Sequence, residues 1–188
     1  MKDLEQLVKQ FEKYCGVLKK VVGTPATERL SEMLGERLMI CPRGLTEEDG
    51  GNPGSLVGFA LEVAASAKAL SGTFGNTKSL VKVSLLHELG KVGDLGSELY
   101  LVQESDWHRE KLGQLYKYNS DCSKMNIAHR TLWFLSHLQI DLTREEWLAI
   151  NVSQGMHLSE NQFYANALGP ISAGLLSARL SVLHGQDT

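Results

Sequence analysis

The chain has few cysteines and no long apolar run, and each shortage argues against a class of protein. Its three cysteines are odd in number and have no Cys-x-x-Cys spacing, which argues against a disulfide framework or a thiolate zinc site. No apolar run approaches the roughly 18 residues that span a bilayer, and the charged opening residues do not resemble a secretory leader. We therefore expect a cytoplasmic protein without a membrane helix or a signal peptide.

An excess of positive charge is also missing. The 19 basic and 22 acidic residues give a formal net charge of −3, so there is no electrostatic reason to expect binding along a phosphate backbone. With 188 residues, of which 43% are hydrophobic, the chain is long enough for one well-packed domain and short for two. We expect a single domain over residues 1–188 that does not bind nucleic acid or a membrane, while its oligomeric state is left open.

The sequence does contain apolar residues at helical spacing along most of its length. Leu4, Leu7 and Phe11 begin the stripe of an amphipathic helix expected to end near Gly23, and Thr24-Pro25 fits an N-cap followed by proline at the first helical position. With the helix that follows, this predicts two N-terminal helices over residues 1–40. Residues 41–54 are rich in turn formers and predict a surface loop.

Six further helices are predicted downstream of that loop, the first of them as a buried helix because its residues are apolar and rich in alanine. They cover residues 55–70, 77–89, 105–118, 126–138, 143–152 and 170–183. Thr143 and Glu146 have the spacing of a capping box, and Ser105 or Asp106 could cap the helix near residue 105. No segment alternates β-branched and polar residues for long. The prediction is an all-α bundle of about seven or eight helices.

The strongest chemical feature is the pair His87-Glu88 after the apolar residues Leu85 and Leu86. A hard divalent ion accepts carboxylate oxygen and a borderline transition metal also accepts imidazole nitrogen, so this pair could begin a metal site. The alternative is that His87 is a hydrogen-bonded core histidine and that Glu88 and Lys91 form an i,i+3 surface pair. The dipeptide alone leaves both interpretations open.

The segment His87-Glu88-Leu89-Gly90-Lys91-Val92-Gly93 resembles the His-Asp-(Leu/Ile)-Gly-Lys signature of the HD superfamily of metal-dependent phosphohydrolases. Residues 103–113 and 128–132 are similar to a compact branch of that superfamily found in phage and bacterial genomes. The resemblance extends over roughly residues 50–183 and implies an HD-domain-like helical core there. It also implies a site in which a first histidine, the His-Asp pair, later histidines and a late aspartate surround one or two metal ions.

The resemblance assigns candidate ligands and also shows where the chain departs from the pattern. The central pair corresponds to His87 and Glu88, and His108, His129 and His137 are the possible later imidazoles. Of these, His129 and His137 lie eight positions apart and could face one cleft from the same helix face. That these two histidines merely lie near the ends of a helix is equally open. At the positions of the first histidine and the late aspartate stand Phe59 and Arg179, which counts against a complete metal site.

Two functional hypotheses follow from this mixed pattern. In the first, the chain is a degenerate member of the superfamily that keeps the fold, has lost its metal centre, needs no cofactor and binds a ligand or partner. Its ligand would be a nucleotide or phosphate, with Arg109, Arg130 and Arg179 as candidate contacts, although Arg179 could instead pair with Glu88.

In the alternative, the chain is an active phosphohydrolase acting on a nucleotide or phosphomonoester. His87, Glu88, His129 or His137 would bind a divalent metal (Mn, Fe, Ni, Zn or Mg), and Lys91 or Arg109 would steady the phosphate. A third hypothesis, an interaction module, has weak support in Trp107, Trp133 and Trp147, because large aromatics at helical spacing are more typical of a core.

Overall fold

The computed structural model describes residues 3–185, and within that range the chain forms nine α-helices, two 3-10 turns and one two-stranded antiparallel sheet. The helices are α1 (Leu4–Val22), α2 (Thr24–Ile40), α3 (Ser55–Phe74), α4 (Thr77–Leu86), α5 (Asp106–Leu112), α6 (Ile127–His137), α7 (Arg144–Asn151), α8 (Ser159–Gln162) and α9 (Pro170–His184). The strands are β1 (Tyr100–Val102) and β2 (Tyr116–Tyr118), and the 3-10 turns are Leu89–Val92 and Ala165–Ala167. The expected all-α bundle is confirmed.

Helix α3 is the central helix of the bundle and packs most extensively against α4 and α9. Its Val63 and Ala67 are fully buried, and the small side chains of this alanine-rich helix allow close approach of its neighbours. The core around it takes Leu18 from α1, Leu80 from α4 and Leu175 from α9. Burial of each such side chain contributes about 1.5–3 kcal/mol, so the packing of these helices is the main stabilising term.

Two helices begin at the capping residues that the sequence indicated. The Thr143 and Glu146 capping box at the start of α7 is confirmed, and Ser105 caps α5 by accepting a hydrogen bond from the backbone N–H of His108. Gly23, at φ +90°, ends α1 and also precedes α2 as its N-cap. Thr24 is therefore the first helical residue and not the predicted cap, because the positive φ of the glycine already makes the turn between the helices.

The predicted helix over residues 105–118 is wrong beyond Leu112. Gly113 takes the left-handed conformation at φ +62° and ends α5, and the chain then returns as β2 beside β1. Tyr118 lies opposite Tyr100, with ring centroids 5.6 Å apart. Pairing with a strand that precedes α5 gives these residues hydrogen bonds and an aromatic contact that local periodicity does not reveal.

The predicted helix over residues 77–89 also ends early, at Leu86. Thr131 of α6 approaches the next turn, where its hydroxyl donates to the carbonyl of His87 at 3.3 Å and accepts from the N–H of Gly90 at 2.9 Å. A Cβ on Gly90 would lie 2.4 Å from the carbonyl oxygen of Ile127, so only glycine permits this contact. The chain therefore tightens into the 3-10 turn directly after the His87-Glu88 pair.

The surface carries more aromatic area than the sequence predicted. Trp107, Trp133 and Trp147 are 58%, 40% and 40% exposed, so the expectation that they belong to the core is wrong. Trp133 and Trp147 lie on α6 and α7, whose other faces contribute buried residues to the core. Trp107 lies on α5, a short helix that has no buried residue.

No helix within residues 3–185 has both the length and the apolar character needed to cross a bilayer.

Candidate functional site

His87 is completely buried at the C-terminal end of α4. Its Nδ1 lies 2.8 Å from the carbonyl oxygen of Ser84, which can only accept, so Nδ1 carries the ring proton and Nε2 carries a lone pair. Burial lowers the pKa of His87 to about 4, and the Arg179 charge adds to this effect. The imidazole is therefore neutral near pH 7. Its Nε2 has no hydrogen-bond partner among the described residues.

Glu88 is 2% exposed and lies between two cations from different elements. Its Oε1 accepts from Nη2 of Arg179 on α9 at 3.2 Å, and its Oε2 lies 3.0 Å from Nζ of Lys91 on the 3-10 turn. Burial alone would raise the pKa of the Glu88 carboxyl, but Lys91 and Arg179 outweigh burial and lower that pKa to about 2. Oε1 is thus hydrogen-bonded by Arg179, whereas Oε2 is ion-paired with Lys91 and has no hydrogen-bond partner among the described residues.

Phe59 of α3 packs beside this cluster, at the position where the resemblance places a first histidine. Its ring centroid is 6.0 Å from that of His87 and 4.5 Å from the guanidinium carbon of Arg43. The phenyl ring therefore contacts an imidazole and a cation, and it presents no donor atom to an ion. A cation over an aromatic face is stabilising by about 0.5–2 kcal/mol, which gives Phe59 a packing role.

We call the residues His87, Glu88, Lys91 and Arg179 the Glu88 cluster. With His87 neutral, the cluster holds one negative and two positive charges. The side chains of Lys91 and Arg179 are 13% and 16% exposed, so their charges are screened less than those of surface residues. Nε of Arg179 has no hydrogen-bond partner among the described residues, which leaves one donor of this guanidinium unused. The excess positive charge favours an anion, and not a metal cation, as an additional neighbour.

The structure does not bring the later histidines to this cluster. His129 and His137 are exposed on α6, on the face away from Thr131 and the other residues of α6 that contact the 3-10 turn. His137 stacks on Trp133 with ring centroids 5.7 Å apart, and His108 lies on α5 with its Nδ1 2.8 Å from the hydroxyl of Ser105. Across residues 3–185, no three His, Cys, Asp or Glu side chains converge in a way that could hold a metal ion.

The two other predicted phosphate contacts are occupied by bonds within the protein. Arg130 is 2% exposed; it donates to the carbonyls of Gly90 and Ser123 and pairs with Asp94 at 3.4 Å. Arg109 donates to the carbonyl of Gln103 at 2.9 Å and to the carboxylate of Asp106. Arg130 ties the 3-10 turn to α6 and the loop before it, and Arg109 fixes the start of α5. Neither contacts the Glu88 cluster.

A cavity of about 420 Å³ opens beside Lys91, between the end of α2 and strand β1. Most of its walls are apolar or aromatic and include Ile40, Tyr100 and Tyr116, while Arg37 and Glu98 provide charged groups. The guanidinium of Arg37 is held by the carbonyls of Asp94 and Leu95 at 2.7 and 2.8 Å. Lys91 lines this cavity and also belongs to the Glu88 cluster, so the cavity and the cluster are adjacent. The volume falls within the range of small-molecule sites.

Several of these residues were not predicted from the sequence. Tyr100 and Tyr116 lie on strands that local periodicity does not predict, and Arg43 lies in the loop of residues 41–54, for which the sequence predicts only a surface position. The hydroxyl of Ser84 is also buried without a hydrogen-bond partner among the described residues, one turn before His87. The apolar residues around Ser84 indicate that its side chain is buried. No pattern in the sequence indicates that Arg43 contacts Phe59.

No protein-family model, no curated protein and no solved structure matches the chain.

Proposed function

We propose that the chain is a degenerate member of the HD phosphohydrolase superfamily that acts by binding and not by metal-dependent hydrolysis. The observation that carries this proposal is the pairing of Glu88 with both Arg179 and Lys91. A carboxylate that ligates a metal must direct an oxygen at the ion, and here each oxygen already faces a protein cation. Arg179 stands where the resemblance expects the late aspartate, so it replaces a ligand and neutralises its former neighbour.

The residues present do not fit the metal centre that the resemblance implies. His87 has a free lone pair on Nε2, but its ring lies against Phe59, and two cations lie within the same cluster. Divalent ions need several converging anionic or neutral donors, and a fixed guanidinium repels them. His129 and His137, which the alternative hypothesis uses as ligands, are directed outward from α6.

We infer that the ligand is a small anion with a flat or apolar part, of which a nucleotide is one example. The cavity beside Lys91 supports this inference, because the ammonium can meet an anionic group while Tyr100 and Tyr116 line the wall with aromatic rings. Aromatic side chains bind nucleobases by stacking. Since Lys91 is held by Glu88, its Nζ is fixed in position before any ligand arrives.

Metal analysis tests the first part of the proposal. The purified chain would be equilibrated with manganese, nickel or zinc, passed through a desalting column and analysed for bound metal and for p-nitrophenyl phosphate hydrolysis. We expect less than stoichiometric metal and no metal-dependent hydrolysis in wild type. Stoichiometric metal that is lost in His87→Ala, but kept in the control His157→Ala at an exposed histidine that neither hypothesis uses, would overturn the proposal in favour of an active hydrolase.

A restored ligand set provides the positive control. The triple variant Phe59→His, Glu88→Asp and Arg179→Asp returns the residues that the resemblance expects at three positions. If the ancestry is correct, this variant should bind a divalent metal that wild type does not bind, and the metal should raise its melting temperature. Circular dichroism shows whether the triple variant folds. If it does not fold, the single variant Arg179→Asp is tested for metal binding in its place.

Isothermal titration calorimetry with nucleoside monophosphates and inorganic phosphate tests the second part. We expect binding that is weakened at least about tenfold by Tyr116→Ala, which removes an aromatic wall without touching the Glu88 cluster. The partly exposed Tyr164, which lies outside the cavity, gives the matched control Tyr164→Ala. Equal affinity in wild type and Tyr116→Ala would exclude this cavity as the site.

A further inference from the structure

A second and larger cavity lies away from the Glu88 cluster, in a groove among α1, α3 and α4. Its volume is about 590 Å³, and its floor is formed by Val17, Val21, Leu61, Ala64 and Val81. These side chains are buried or half-buried, and none carries a polar group. The groove is therefore an apolar depression between three packed helices. We call it the α1/α3/α4 groove.

The border of the α1/α3/α4 groove is positively charged. Lys13 and Lys20 of α1, Lys68 of α3 and Lys78 of α4 line it, whereas no aspartate or glutamate within residues 3–185 does. All four lysines are exposed, and none of them forms an ion pair with another residue in the range 3–185. The chain has a net charge of −3, whereas the four unpaired lysines make the surface around this apolar depression positively charged.

We propose that the α1/α3/α4 groove binds an acidic amphipathic helix of a partner protein. Helices dock into apolar grooves through side chains at i, i+3 or i+4, and i+7, and charges along their flanks set the specificity. Lys13 and Lys20 are seven residues apart on α1, which places them about 10.5 Å apart along the helix axis, or two turns. A partner helix with acids on both sides of its apolar stripe can therefore meet lysines from all three helices.

The distribution of the lysines favours a helix over a single-chain amphiphile. A fatty acid or lysolipid carries its anionic group at one end, so it can engage the lysines nearest that end and leaves the others without a partner. Two lysines on α1, one on α3 and one on α4 surround the apolar floor. Several separated anions beside an apolar stripe complement this arrangement, and an acidic amphipathic helix provides them. This proposal concerns a different surface from the ligand cavity and does not rest on the proposed function.

Fluorescence anisotropy with a designed peptide tests the proposal. The probe is a labelled helical peptide of about 14 residues, roughly four turns, with leucines at i, i+3, i+4 and i+7 and glutamates on both flanks. We expect saturable binding to the full chain that weakens with added salt. A second peptide with lysines in place of the glutamates, and a third with serines in place of the leucines, should both fail to bind.

Charge reversal in the protein locates the site. The double variant Lys20→Glu and Lys68→Glu should weaken peptide binding by about tenfold or more, because two attractive pairs become repulsive. The matched control Lys19→Glu and Lys124→Glu changes two exposed lysines outside the groove and should bind like wild type. Circular dichroism establishes that both variants fold.

Three outcomes would overturn the proposal. These are no binding of the acidic peptide, equal binding by the Lys20/Lys68 variant and wild type, and peptide binding that is indifferent to the flanking charge. Sedimentation with phosphatidylserine vesicles and displacement of a fluorescent fatty acid are measured in parallel. If the groove lysines govern binding to vesicles or fatty acid while the peptide does not bind, the groove is a lipid site and the helix proposal is wrong.

Discussion

Arg179 on α9 donates to Glu88 at the end of α4, with Nη2 3.2 Å from Oε1, although the two residues are 91 positions apart in the chain. Glu88 is buried, and its only other ion-pair partner among the described residues is Lys91. The contact therefore connects α9 to the residues between α4 and the 3-10 turn. It gives the buried Glu88 carboxylate a partner within the protein.

Removal of the Arg179 guanidinium should destabilise the protein. Arg179→Met leaves a buried carboxylate with one cation, and we expect the free energy of unfolding to fall by about 1–3 kcal/mol, less than for a fully unpaired buried charge because Lys91 remains. Urea denaturation measures the change, with the exposed Arg144→Met as control. In a Glu88→Gln background the same substitution should matter less, and equal losses in both backgrounds would mean that the pair is not energetically coupled.

The buried titratable groups predict that stability declines in two steps on acidification. The pKa of His87 is lowered from 6.5 to about 4, so between these values the unfolded chain binds a proton that the folded chain does not, and stability falls with falling pH. The pKa of Glu88 is lowered from 4.5 to about 2, which adds a decline between those values. Each group contributes at most about 1.4 kcal/mol per pH unit.

The first of these steps is assigned by substitution. His87→Asn should remove the decline between about pH 6.5 and 4, whereas the exposed His137→Asn should keep it. Urea midpoints measured across that range provide the test. An unchanged profile in His87→Asn would show that the buried imidazole does not titrate as described.

Gly90 should tolerate no side chain. A Cβ there would lie 2.4 Å from the carbonyl oxygen of Ile127 and 2.9 Å from the backbone nitrogen of Thr131, both of which are main-chain atoms of α6. Gly90→Ala is therefore expected to lower the free energy of unfolding by more than about 2 kcal/mol. Gly96→Ala is the matched control, since a Cβ at that position meets nothing within 4 Å. If both variants unfold at the same urea concentration, α6 does not pack on the 3-10 turn as described.

The tryptophan fluorescence of the folded protein should be accessible to acrylamide. Trp107, Trp133 and Trp147 are all at least 40% exposed, so quenching in native buffer should approach that of the urea-unfolded chain. Trp-to-Phe variants assign the contribution of each residue. Strong protection in the dilute monomer would contradict the exposed positions, whereas protection that appears only with increasing protein concentration would indicate self-association through these faces.

The sequence predicted helices better than the ends of helices. Apolar patterning identified the segments that became α1, α2, α3, α6, α7 and α9, and the capping box of Thr143 and Glu146 is in place. The error over residues 105–118 arose because β2 depends on pairing with β1, which lies before α5. The early end of α4 depends on Thr131, a residue of another helix. Both features are set by neighbours that no local window contains.

By itself, the sequence determined which residues form helices and where caps and glycines allow turns, because those preferences act within a few residues of the chain. It also placed His87 and Glu88 side by side after an apolar run. Only the tertiary structure decided what that pair does. Packing of α9 on α3 and α4 brings Arg179 to Glu88, and packing of α6 turns His129 and His137 outward, because contacts between distant residues depend on how whole helices bury their apolar faces.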